Sequence, residues 1–272
     1  MKKQNKLLAI KQYFKSYTEF SMWRIVAYFI IYSFFGFFVE TIYGFTSKGV
    51  LECRQSFLYG PFCAIYGVGA VIMIVSLNAF KNNNNRLFWG GFVVGSLVEY
   101  FVSLIGETIF HVKWWDYSNM PLNIAGRACV YFSVFWGLLG IYLVSYVNPK
   151  VDKLLNFIKR KISIMVLKPI EVIVSIIIIL DLLVTMYALR AFYVRTVVEH
   201  DVDVNNKESV IAEYERIYGN TKKAELINNL WGNEKMVKTF PNLKFQNKDN
   251  ETLYFDSFYK EVTPYYYKMP KK

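Results

Sequence analysis

The chain has 272 residues, of which 54% are hydrophobic, 18% aromatic and only 19% charged, against about 25% charged residues in an average soluble protein. Its 32 Lys and Arg exceed its 21 Asp and Glu to give +11, all of it in the first 195 residues, where 20 basic residues face 9 acidic ones. So high an apolar content excludes a disordered chain, basic residues that bracket apolar segments argue against a nucleic-acid partner, and three Cys with two His are too few for a disulfide scaffold or a multi-ligand zinc site.

A bilayer core about 30 Å thick takes roughly 20 apolar residues per helix, and five segments qualify. The expected class is therefore an all-α integral membrane protein: a basic cytoplasmic helix at 1–23, a five-helix membrane domain at 24–195 and a small soluble tail at 196–272. Within the first region, 6–17 is amphipathic. The first span, 24–46, carries Glu40. It starts too late and runs too long for a cleaved signal peptide, so it should remain in the mature protein. The second, 59–80, opens on Gly60-Pro61, where Pro suits a first helical turn and the free N–H groups beside Arg54 can hold an anion or simply begin a helix. A polar turn at 82–85 leads to the third span, 87–110, with Glu99 and Glu107. Its Gly91–Gly95 spacing, like Gly137–Gly140 in the fourth span at 128–147, lets backbones approach closely.

Residues 151–168 place Val151, Leu154, Leu155, Ile158, Ile162 and Met165 at helical spacing beside Lys153, Lys159, Arg160 and Lys161. Such a helix lies in the headgroup plane or docks on a cytoplasmic ATPase. The fifth span, 169–194, carries Glu171, Asp181 and Arg190. In the tail, 209–218 and 222–231 read as short helices, Phe240-Pro241-Asn242 breaks the pattern, and 253–259 is a strand or an amphipathic turn.

Basic residues set the orientation. The N-terminal region, the second loop and the fourth loop together hold 14 Lys and Arg, and the alternate loops hold 4. The N-terminus is therefore expected in the cytoplasm, and an odd number of spans puts the tail outside.

Acids within a span each cost about 2.5–3.5 kcal/mol on insertion. Glu40, Glu99, Glu107 and Asp181 must be protonated, paired or turned toward a polar interior. Glu40, Glu107, Arg54 and Arg127 fall at similar depth and form an expected outer-leaflet cluster, either ion pairs that fix helix order or a site for a headgroup, an ion or a proton. Glu99 lies about 12 Å deeper than Glu107 along the helix, with no basic residue at matching depth on the first four spans. Asp181 and Arg190 lie too far apart on one helix to pair, so each needs a partner on another. Trp114-Trp115-Asp116-Tyr117 is an interfacial aromatic belt or, with Asn123, a platform for a sugar or headgroup. Glu40, Arg54, Glu99, Glu107, Trp115, Asp116, Asn123 and Arg127 are the candidate substrate-binding residues. No catalytic fingerprint, ATPase motif, metal set or cofactor motif occurs.

Several of these elements carry a resemblance. The run Phe38-Val39-Glu40-Thr41-Ile42-Tyr43 is followed by Arg54 and by 57–67, Phe-Leu-Tyr-Gly-Pro-Phe-Cys-Ala-Ile-Tyr-Gly. Then come Glu99-Tyr100, Trp114-Trp115-Asp116-Tyr117-Ser118, Asn123, Gly126-Arg127 and Trp136-Gly137. Over about residues 24–150 this resembles the ABC-transporter permease family of the CmpB type. Ala64 stands where the family usually has Pro after the Cys of the second-helix motif. The resemblance implies a multi-pass cell-membrane protein with a transport role. A separate ATPase subunit would be its partner, because this chain has none of its own, and a second copy or another partner would be needed to complete a pathway from so few helices. The other readings are a membrane enzyme acting on lipid or headgroup substrates, with Glu99 or Glu107 as acid/base, and a membrane scaffold or assembly factor.

Overall fold

The computed structural model describes residues 21–269, and the amphipathic stretch expected at 6–17 lies outside them. In chain order, α1 (Met22–Lys48) leads to β1 (Val50–Glu52), and α2 (Ala64–Leu77) closes in a 3-10 turn (Asn78–Phe80). Next, α3 (Asn84–Ile105) ends in a π turn (Gly106–Phe110), and the hairpin of β2 (Asn123–Ile124) and β3 (Ala128–Cys129) precedes α4 (Val130–Tyr142). A second π turn (Leu143–Val147) carries α4 straight into α5 (Asn148–Lys161). The long α6 (Ile164–Glu199) is followed by α7 (Lys207–Tyr218), α8 (Thr221–Trp231), α9 (Asn233–Thr239), β4 (Lys244–Gln246), β5 (Thr252–Tyr254) and β6 (Tyr265–Lys268).

Among the described residues, four helical stretches are long and apolar enough to cross a membrane: Met22–Lys48, Asn84–Ile109, Val130–Lys161 and Ile164–Glu199. The segment expected as the second span gives a shorter apolar helix, Ala64–Phe80. It starts late because Gly60, at φ 82°, turns the chain and the Ser56 N–H bonds the Phe62 carbonyl at 2.8 Å. Pro61 is thus a loop residue, and the expected first helical turn at 59–63 is corrected. The amphipathic helix expected at 151–168 also ends early. Ile162 is extended, at φ −116° and ψ 127°, and 164–168 instead open α6.

The chain forms two compact units. Among the described residues the first comprises 21–36, Ala64–Tyr100 and Tyr117–Ile178. Its core gathers Tyr28, Met73, Ile74, Leu87 and Trp136. As the small-residue spacing anticipated, α3 and α4 meet closely: a Cβ on Gly91 would fall 2.8 Å from the Trp136 carbonyl oxygen and 3.2 Å from the Gly140 Cα. Outward faces are apolar, with Phe35, Tyr131, Leu138 and Ile177 exposed. The most apolar stretch of α6 has mean hydropathy 2.7 yet only 17% of it is buried in protein, so its natural solvent is lipid.

The second unit comprises Phe37–Cys63, Phe101–Asp116 and, among the described residues, 179–269. At its centre is the last third of α6, where Ala188, Leu189, Ala191, Phe192, Tyr193, Val194 and Val197 are at most 4% exposed. Ala191 packs with Ile217 and Ile227; the others join Met236, Leu243, Phe245 and Phe255 in one cluster, with the Phe255 ring 4.8 Å from both Phe192 and Phe245. A helix of 36 residues is about 54 Å long, well beyond one bilayer core. The C-terminal part of the expected fifth span is therefore a protein core, although its apolar residues read like a continued span. The expected tail helices appear as α7 and α8, and 253–259 resolves into the end of β5 and a 3-10 turn (Phe255–Ser257). Two pairings tie the tail to earlier loops: β6 runs antiparallel to β1, with Val50 opposite Lys268, and the Lys113 and Lys244 backbones exchange bonds of 2.6 and 2.9 Å.

Candidate functional site

Two clusters of ionisable side chains in the second unit hold most of the predicted charged residues. In the first, Arg54 is central. Its Nη1 lies 3.5 Å from Glu40 Oε1, and its Nη2 bonds Glu52. Lys48 Nζ stands 3.5 Å from Glu52 and donates to Asn242 Oδ1 at 2.8 Å, while Asn242 Nδ2 donates to Glu52 at 3.1 Å. The sequence builds this locally. Gly44 lies one turn after Glu40 on the same helix face, and its lack of a side chain admits the guanidinium, since a Cβ there would fall 2.6 Å from Arg54 Nη2. Two acids and two bases make the cluster neutral at pH 7, which lowers the cost of burying Glu52 and Arg54, at 9% and 13% side-chain exposure. Nearby, burial raises the Asp256 carboxyl above its ordinary range, helped by the Glu52 charge and opposed by Lys48. Burial likewise pushes the Cys53 thiol up.

The second cluster surrounds Lys113, itself 8% exposed. Its Nζ lies 3.7 Å from Glu107 Oε1 and 3.9 Å from Asp116 Oδ2. Thr252 donates to Asp116 at 3.0 Å. With its amide oriented to satisfy both neighbours, Gln246 donates to Glu107 at 3.2 Å and accepts from Lys113 at 3.1 Å. Gly106 makes room here for the Trp114 ring, which a Cβ would meet at 2.2 Å, so Trp114 packs into the unit's core. Trp115 is half-buried.

Asp181 and Arg190 find partners that are not membrane helices. Asp181 accepts the Tyr59 N–H and the Thr185 hydroxyl, both at 3.3 Å, and Thr185 accepts the Leu58 N–H at 2.8 Å. One face of α6 thereby pins the loop before α2. Arg190 bonds Glu213 of α7 at 2.6 and 3.1 Å.

In the first unit, Glu99 is 4% exposed and accepts the Tyr117 hydroxyl at 2.8 Å. Tyr117 is held by stacking on Phe132, centroids 4.8 Å apart, and by its N–H on the Gly126 carbonyl at 2.8 Å. Asn123 organises the same loop: its amide donates to Met120 O at 2.8 Å and Ser118 O at 3.3 Å and accepts the Gly126 N–H at 2.9 Å. Arg127 lies 5.7 Å from the Tyr100 ring centre.

The structure thus brings Glu40 to Arg54 and Glu107 to Asp116, with Arg127 and Glu99 in the other unit. Sequence reasoning passed over Glu52, Lys113, Asn242, Gln246 and the pairing role of Tyr117. Only Glu52 had a local signal, since residues two apart in an extended segment share a face with Arg54. Among the described residues no group of three or more His, Cys, Asp or Glu side chains is placed to hold a metal.

No curated protein and no solved structure matches the chain. A family described as "Putative ABC-transporter type IV" matches residues 27–186, a stretch that contains every one of the sequence-derived site residues. With four long apolar helices among its described residues and its family motifs in order, the chain belongs to the ABC_trans_CmpB family of ABC-transporter-type membrane proteins.

Proposed function

We propose that the chain is the permease-type membrane subunit of a transporter, working with a separate ATPase subunit. In this reading the Arg54 and Lys113 clusters of the second unit line a polar outer cavity, and Glu99 in the first unit binds or moves charge. Glu40, Arg54, Glu107, Trp115, Asp116, Asn123 and Arg127 contact the substrate. The carrying observation is that a chain of this transporter family keeps buried, mutually paired ions beside apolar helices. Such ions are costly in a membrane and are retained where they bind or move charge.

Five crossings suit this reading better than four. The pairings of β1 with β6 and of Lys113 with Lys244 support residues 50–52, 113 and the tail lying in one compartment. In this reading the chain crosses an even number of times between 52 and 113, with Asn84–Ile109 as one crossing and Ala64–Phe80 as the other. At 17 residues that helix is about 25 Å long, a mismatch that local bilayer thinning accommodates. The basic-residue bias then puts the N-terminus in the cytoplasm and the tail outside.

The test is purification of the tagged full chain in mild detergent. An ATPase should co-purify, and its activity should change with Arg54→Ala. Repeated recovery of intact protein without any ATPase overturns the ATP-driven part. Thiol labelling of Asn250→Cys from outside the cell tests the topology, and labelling only after permeabilisation overturns it.

A further inference from the structure

Helix α5 has two faces of opposite character. Inward, Val151 and Leu155 are buried, and polar groups tie the helix to α1. The Tyr28 hydroxyl donates to Asp152, and the Tyr32 hydroxyl donates to Asn148 Oδ1 at 3.0 Å. Arg24 donates to Asn156 Oδ1 at 2.9 Å and lies 3.9 Å from Asp152. Asp152 is the one acid in the sequence from 148 to 168, and this network consumes its charge. Outward, Lys150, Lys153, Lys159, Arg160 and Lys161 are exposed. Among them stand Leu154 at 51% and Phe157 at 58% exposure, followed past the helix end by Met165 at 82%. Lys161 Nζ lies 6.0 Å from the Phe157 ring centre.

We infer that this outward face of α5 binds the headgroups of anionic phospholipids, with Leu154 and Phe157 entering the acyl boundary. The continuous helix Val130–Lys161 has 32 residues, about 48 Å against a core of about 30 Å, so its last turns emerge among headgroups. Five cations with no opposing acid match a sheet of anionic headgroups, which attracts each nearby Lys or Arg, while interleaved apolar side chains supply the interfacial grip. A protein partner's interface core is instead depleted of Lys. The inference rests on Val130–Lys161 being a membrane crossing and not on transport, so its failure leaves the permease reading standing.

The test uses the full chain in detergent, with Phe157→Cys carrying an environment-sensitive fluorophore; the native Cys53, Cys63 and Cys129 are buried. Short-chain phosphatidylglycerol should give a saturable blue shift that short-chain phosphatidylcholine does not. Lys159→Gln with Arg160→Gln and Lys161→Gln should weaken it by roughly fivefold per cation, about a hundredfold in all. Because these side chains are exposed the variant should fold, and Lys159→Arg should bind like the parent. An equal response to both lipids, an unchanged triple variant, or a shift seen only on adding an ATPase overturns the inference.

Discussion

The Tyr117 hydroxyl donates to Glu99 at 2.8 Å, which gives the most deeply placed carboxyl of the first unit a neutral partner where an ionic one was sought. A phenol can satisfy a carboxyl in either protonation state without bringing a second charge into an apolar bundle. Tyr117→Phe should therefore destabilise the protein by about 1–3 kcal/mol, the cost of an unmet buried polar group, read as a lower thermal midpoint in detergent. Glu99→Gln keeps an acceptor for the Tyr117 hydroxyl, so it should cost less than Tyr117→Phe.

Arg54 holds Glu52 and Glu40 together. Arg54→Ala leaves two carboxylates facing each other and should cost about 3–5 kcal/mol. Combining it with Glu52→Gln should restore part of that loss, and a double-mutant cycle on thermal stability measures the coupling. Additive losses would show that the two side chains do not act as a pair.

Helix crossing predicts opposite outcomes for two glycines. Gly91→Ala drives a Cβ to 2.8 Å from the Trp136 carbonyl, a rigid backbone atom, and should cost about 1–3 kcal/mol through forced separation of α3 and α4. The same change at Gly69, whose nearest neighbour is a Trp136 ring carbon at 4.0 Å, should be neutral or stabilising by up to about 1 kcal/mol from helix propensity.

The tail pairing predicts a cross-link. Val50 and Lys268 are opposite residues of an antiparallel pair, whose Cα separation of about 4.5–5.5 Å suits a disulfide. Val50→Cys with Lys268→Cys should oxidise to an intrachain bridge, visible as a mobility shift reversed by reductant. A pair shifted to Val50→Cys and Lys260→Cys should not.

Asp256 predicts the pH dependence. Burial raises its carboxyl above the ordinary value of 3.8, so the folded protein binds its proton more tightly than the unfolded chain does. Stability from this group is then full below about 3.8 and is lost as pH rises through the raised value. Asp256→Asn should be more stable than the parent at pH 7, and the difference should shrink toward pH 4 in unfolding curves.

Composition and period alone determined that the chain is a membrane protein of long helices, because apolar runs and their breaks are local properties that no distant contact can change. That the Gly91–Gly95 and Gly137–Gly140 spacings would serve close helix packing was legible, though not that the two would meet each other, and the family was legible from motifs that lie in order along 27–186. The charged partners were legible only in part. Of the cluster Glu40, Glu107, Arg54 and Arg127 expected from depth, Glu40 does pair with Arg54, but Glu107 pairs with Lys113, because depth fixes only one coordinate and lateral position in a bundle depends on packing. The apolar end of α6 read as hydrocarbon-spanning, since Phe192 and Val194 have the same hydropathy whether lipid or Phe255 surrounds them. Only tertiary structure could bring Lys113 to Gln246, or Glu52 to Asn242, because these pairs depend on a tail 130 or more residues away in sequence folding back on the loops.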